Sequence, residues 1–151
     1  MKKILLTISI LIFCFILTGC GVKNVEGSLE EIMDKIYSSL EDSEKPMMLT
    51  NITIDKENAE MYLGTSDIEF EEALASESAT GSIAHSVVLL RVKNNANVEM
   101  IEEKIEDSVN PRKWICVEAD EVEVESKGNL IILVMSNELT ADKIIREFNK
   151  L

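Results

Sequence analysis

The feature that most narrows the fold is the run from Ile83 to Lys93, in which both alternating sets of side chains are largely apolar. Ile83, Val87 and Leu89 fall on one side, and Ala84, Val88, Leu90 and Val92 on the other. Strand side chains alternate between the two faces of a sheet, so apolar residues on both faces mark a central strand. The lone histidine, His85, shares the face of Ile83 and Val87. With no second His to help it chelate, it reads as a core histidine bonded to a neighbour rather than a catalytic base or metal ligand.

Around that strand the other elements follow from pattern. Ser28 with Glu31 three residues on is a capping box, and Leu29, Ile32, Met33, Ile36, Tyr37 and Leu40 recur at helical spacing before Pro46. Met47 to Ile54 reads as extended, and a short helix carrying Ala59, Tyr62 and Leu63 closes at Gly64. Ile68 and Phe70, alternating with Asp67, Glu69 and Glu71, suggest the first strand of a hairpin that reaches the central strand through the Thr80-Gly81-Ser82 turn. Asn97 opens a helix with Val98, Ile101, Ile105 and Val109 on one face, ended by Asn110-Pro111. Val122 and Val124 then alternate with acidic residues, Lys127-Gly128-Asn129 turns into Leu130 to Met135, and Ala141, Ile144, Ile145 and Phe148 mark a last helix. The order after the N-terminal helices is ββα followed by ββα. It predicts an α+β domain: an antiparallel sheet of about four strands with helices packed on one face.

The first nineteen residues stand outside that domain. Lys2 and Lys3 precede an apolar run, Ile4 to Leu17, which is short for a membrane span and suits the core of an export signal. It ends in Leu17-Thr18-Gly19-Cys20, which resembles the lipobox of bacterial lipoproteins. The resemblance implies cleavage before Cys20 and a diacylglyceryl group on its thiol. The alternatives are an ordinary cleaved signal or an uncleaved anchor helix. On the lipobox reading residues 1–19 are a removed signal peptide, 20–27 a lipidated tether and 28–151 a single domain, held at the extracytoplasmic face of the cell membrane. Two acyl chains make such attachment stable, since each buried methylene adds about 0.8 kcal/mol.

Charge narrows the partners. The chain carries 28 Asp and Glu against 15 Lys and Arg, a net charge of −13, and losing both leader lysines makes it −15. Nucleic acid is an unsuitable partner, because phosphate binding needs a basic face. Anionic headgroups should likewise keep so acidic a body from lying flat on the bilayer. After cleavage Cys116 is the remaining unmodified thiol, and its neighbours Ile115 and Val117 favour a buried apolar side chain over a reactive one.

The residues do not assemble a known catalytic motif. There is no Gly-x-Ser-x-Gly elbow, Ser-x-x-Lys, His-Glu-x-x-His or phosphate-cradling glycine loop. No cofactor, metal site or enzymatic activity is expected. Two groups remain as candidates. Glu121, Glu123 and Glu125 share one face of a strand, where a cation or basic partner would relieve their repulsion, although a solvated outer face is the simpler reading. Arg112, Lys113 and Trp114 form a basic and aromatic island of residue types favoured at interface hot spots. Against this, Trp114 would pack under the second long helix while Arg112 and Lys113 compensate nearby carboxylates.

The leader and lipobox, the stretch Glu72 to Glu77, the run Ser82 to Val92, the segment Asn110 to Val117 and the Gly128-Asn129-Leu130 turn together resemble a family of small Gram-positive lipoproteins catalogued as a domain of unknown function. The resemblance implies a membrane-anchored extracytoplasmic domain and supplies no reaction. The expected function is a non-enzymatic protein-interaction or envelope accessory domain. The alternative is a small-molecule or cation-binding lipoprotein serving a membrane transporter, although the mature length of 132 residues is small for a two-lobed binding protein.

Overall fold

The computed structural model describes residues 23–151; the leader and Cys20 lie outside the described residues. The elements are α1 (Leu29–Tyr37), β1 (Leu49–Thr53), α2 (Ala59–Leu63), β2 (Glu72–Ser78), β3 (Ser86–Arg91), α3 (Val98–Ser108), β4 (Glu121–Lys127), β5 (Leu130–Ser136) and α4 (Glu138–Phe148). The strands form one five-stranded sheet in the order β1-β2-β3-β5-β4, antiparallel throughout. The class is α+β, as the order of elements predicts. The fifth strand is β1, which pairs with β2 from Leu49↔Ser78 to Thr53↔Leu74 and forms one edge.

The placement of the helices differs from expectation. They lie on both faces of the sheet. Leu29, Ile32, Met33 and Ile36 of α1 and Ala141, Ile144 and Phe148 of α4 pack with Leu74, Val87, Leu89, Ile132 and Val134. Tyr62 and Leu63 of α2 and Ile101 and Ile105 of α3 pack with Ala75, Val88, Leu90, Ile131 and Leu133 on the other side. The physical reason is that β5, like β3, is apolar on both faces, with every side chain from Leu130 to Met135 at most 1% exposed. Burying such a side chain contributes about 1.5–3 kcal/mol, so leaving either face open would forfeit several of these increments.

Local chemistry fixes the elements. Ser28 Oγ accepts from Glu31 N at 3.2 Å while Glu31 Oε2 accepts from Ser28 N, closing the capping box of α1. Asn97 and Asn137 cap α3 and α4 through their side-chain oxygens. Gly64 ends α2 at φ +74, and a side-chain carbon there would stand 2.2 Å from Ser108 O, so α2 and the end of α3 meet only because the residue is glycine. The hairpin strand before β3 is Glu72–Ser78 and not the Ile68/Phe70 segment. Alternation misplaced it because β2 faces two cores and is buried on nearly every residue, whereas Asp67–Glu71 only mimics the pattern of a half-exposed strand.

Candidate functional site

The strand directions define two ends of the sheet. One gathers Leu49, Ser78, Ser86, Ser136 and Glu121; the other gathers Thr53, Glu72, Arg91, Leu130 and Lys127. At about 3.3 Å per residue, the six or seven residues of β3 and β5 set these ends roughly 20 Å apart.

At the Ser86 end, the basic and aromatic island divides into parts with different roles. Lys113 turns inward. Its Nζ lies 2.6 Å from Glu77 Oε1, with both side chains about 15% exposed or less, and 3.3 Å from Ser86 Oγ. It also sits 4.9 Å from the ring centre of Tyr62 and 5.3 Å from that of Trp114, within cation–π range. The pair is held by charge at hydrogen-bonding distance, in a setting where both groups are largely withdrawn from water. Burial lowers the pKa of Lys113, opposed by Glu77, and burial raises that of Tyr62, helped by the same carboxylate. Trp114 is half-buried against the core that contains α2 and α3. Arg112 points to solvent and pairs with Glu118 at 2.9 Å, a surface bridge of little energetic consequence. The island thus mainly pins the irregular segment after α3 to the sheet.

His85 lies on the face of Val87, as alternation predicts, and is 1% exposed. Its Nε2 is 2.7 Å from Tyr37 Oη and its Nδ1 is 2.9 Å from Ser136 Oγ. Each hydroxyl can donate or accept, so either tautomer satisfies both ring nitrogens. Burial lowers the His85 pKa from 6.5 to about 4, and burial pushes the Tyr37 phenol well above its usual range. The network ties α1, β3 and β5 together. Ser136, fully buried, is inaccessible to a substrate.

Glu121, Glu123 and Glu125 line the edge strand β4 on the face of α4. The pKa of Glu123 is raised by partial burial first, then by Asp142, Glu125 and Glu121. Glu125 Oε2 accepts from Asn149 Nδ2 at 2.7 Å. Among the described residues, no three His, Cys, Asp or Glu side chains come together as a metal site. Charges on an edge strand discourage pairing with another chain, which is a sufficient physical reason for this stripe.

Sequence reasoning missed an apolar rim at the same end. Met47 is 69%, Met48 66% and Ile115 89% exposed. Met47 O accepts from Ser78 Oγ and Met48 O from Ala79 N, while a side-chain carbon on Gly81 would stand 3.6 Å from Ile115 Cδ1, so these residues ring one loop cluster. Met48 is the one non-glycine residue with positive φ, at 57°, among those described. Cys116 is exposed in this rim, not buried as its neighbours suggested, because the segment bulges outward at Ile115 and Cys116 while Lys113, Trp114 and Ala119 turn inward. The available signal was the uncharged stretch Met47 to Ile54 in an otherwise acidic chain.

A cleft of about 870 Å³ opens beside α3, lined in part by Asp67, Lys93, Asn97, Met100 and Lys104. No described helix is long and apolar enough to cross a membrane. Comparison with protein-family models, curated proteins and solved structures finds no match to this chain.

Proposed function

We propose that the protein is a lipid-anchored extracytoplasmic lipoprotein whose domain acts by binding another envelope protein and not by catalysis. The observation that carries the reading is the lipobox-like Leu17-Thr18-Gly19-Cys20 behind a basic and apolar leader. The pieces resembling a small Gram-positive lipoprotein family point the same way. The geometry adds support, because the buried His85 and Lys113 are already committed to structural partners. His85 is spent on two hydroxyls and Lys113 on Glu77 and two rings.

The apolar rim of Met47, Met48 and Ile115 is the surface best suited to a protein partner, being exposed and carrying a strained backbone at Met48. The test is crosslinking in intact membranes with the natural chain and with a Met47→Ser/Met48→Ser/Ile115→Ser variant. A protein captured by the first and lost with the second supports the reading. No captured protein, together with a thermal shift caused by a small molecule or Ca²⁺, would replace it with the ligand-binding alternative, for which the cleft beside α3 is the available space.

A further inference from the structure

Within the expected lipidated tether, the described residues 23–27 are docked on the domain. Arg91, whose side chain is 13% exposed, donates to Val25 O at 2.7 Å and to Gly27 O at 2.8 Å while its Nε pairs with Glu72 at 2.6 Å. Asn24 donates to Asn94 Oδ1 at 2.7 Å, and Val25 packs against the core shared by α1 and α4. Gly128 completes the seat, because a side-chain carbon on it would lie 2.8–3.0 Å from Asn24 and Lys23. All of these contacts lie at the Arg91 end of the sheet, roughly 20 Å from the apolar rim.

Chain length then sets geometry. Cys20 is three Cα steps from Lys23, and that span covers at most about 11 Å. Leaving the lipidated residue free to reach acyl depth therefore requires the Arg91 end to sit at headgroup level. Charge permits it. The cleft beside the docked segment is lined by Lys23, Lys35 and Lys127 against Glu26 and Glu31, nearly neutral in a chain with 28 acidic and 15 basic residues. Lysines within about 8 Å of an anionic surface still feel it at physiological salt.

We infer that the domain stands upright on the bilayer, with the β4–β5 hairpin end and its lysine-lined cleft against the phospholipid headgroups and the Met47/Met48/Ile115 rim facing away. The orientation rests on the lipid-anchor reading and goes beyond it. It eases the conflict between an acidic body and an anionic membrane, since the lysine-lined cleft is the surface turned to the headgroups. It also places the partner-binding rim roughly 20 Å further out, within reach of a neighbouring envelope protein.

The test uses the full lipidated chain with Cys116→Ser, reconstituted in vesicles of phosphatidylglycerol and phosphatidylethanolamine containing a nickel-chelating lipid. A spin label is placed at Asn95→Cys, near the hairpin end, or at Ser82→Cys, near the rim, both exposed positions. Relaxation of the label by the headgroup nickel should be several-fold stronger at position 95 than at 82. A glycine–serine insertion of about ten residues between Val22 and Lys23 should reduce that contrast, because such a linker behaves as a random coil. Equal relaxation at both positions in a vesicle-bound chain would overturn the orientation and leave the anchor standing. A chain that fails to float with the vesicles would overturn the anchor, and the orientation with it.

Discussion

Acidification should destabilise this domain through His85. The imidazole is buried and hydrogen-bonds to the neutral Tyr37 and Ser136 hydroxyls, so the folded state resists its proton down to about pH 4, whereas the unfolded chain takes it up near 6.5. A folded-state pKa below the unfolded one means that this contribution to stability is complete above pH 6.5 and is lost progressively as pH falls toward 4. At about 1.36 kcal/mol per pH unit, moving from pH 7.5 to 4.5 should remove about 2.5 kcal/mol through this one group. That is a large share of the 5–15 kcal/mol, roughly, of a typical domain. Urea unfolding followed by Trp114 fluorescence measures it, with His85→Gln as the comparison. The variant should be weaker at pH 7.5 by about 1–3 kcal/mol, because one of two buried hydroxyls loses its partner. It should also lack the His-linked acid loss, leaving only the slope due to carboxylates that both proteins share. Parallel pH profiles for the two proteins would refute the claim that His85 is held neutral by burial.

Other perturbations should discriminate the remaining assignments. Lys113→Ala should cost about 3 kcal/mol in thermal denaturation because it strands the buried Glu77 carboxylate, and Lys113→Met combined with Glu77→Gln should recover most of that. Gly64→Ala should be destabilising by roughly 3 kcal/mol or more, since it imposes a side chain at φ +74 against the Ser108 carbonyl, whereas Gly81→Ala should be tolerated. Glu123→Gln should raise the unfolding free energy at pH 7 by a few tenths of a kcal/mol, by removing a partly buried charge and its repulsion from Asp142, Glu125 and Glu121, as read by urea denaturation. Because the Glu123 pKa is raised in the folded state, that gain should disappear in acid, once the carboxylate is protonated.

The fold was readable where one element meets one environment. The Ser28 and Glu31 cap, the Asn97 cap, the turn at Gly128 and the stripe Ala141, Ile144, Ile145 and Phe148 all act locally, and each appears where its spacing places it. Elements facing two environments were harder to place. Alternation cannot bound β2, and ββα order cannot say which face a helix covers, although Leu130 to Met135 already demanded cover on both. Among the candidate residues, Lys113 and Trp114 were identifiable as types, but their partners Glu77 and Tyr62 lie far away in sequence and converge only through the register of β2 and β3. The exposure of Cys116 and the role of Arg91 as a clamp on Val25 and Gly27 depend on loop paths for which no local pattern exists.

The central claim is that the chain is carried on the membrane by Cys20. Mass spectrometry of the N-terminal peptide from the membrane fraction tests it most directly. The account predicts a chain that begins at Cys20 and bears a diacylglyceryl group on its thiol; a chain that keeps Met1, or one with an unmodified Cys20, would contradict it.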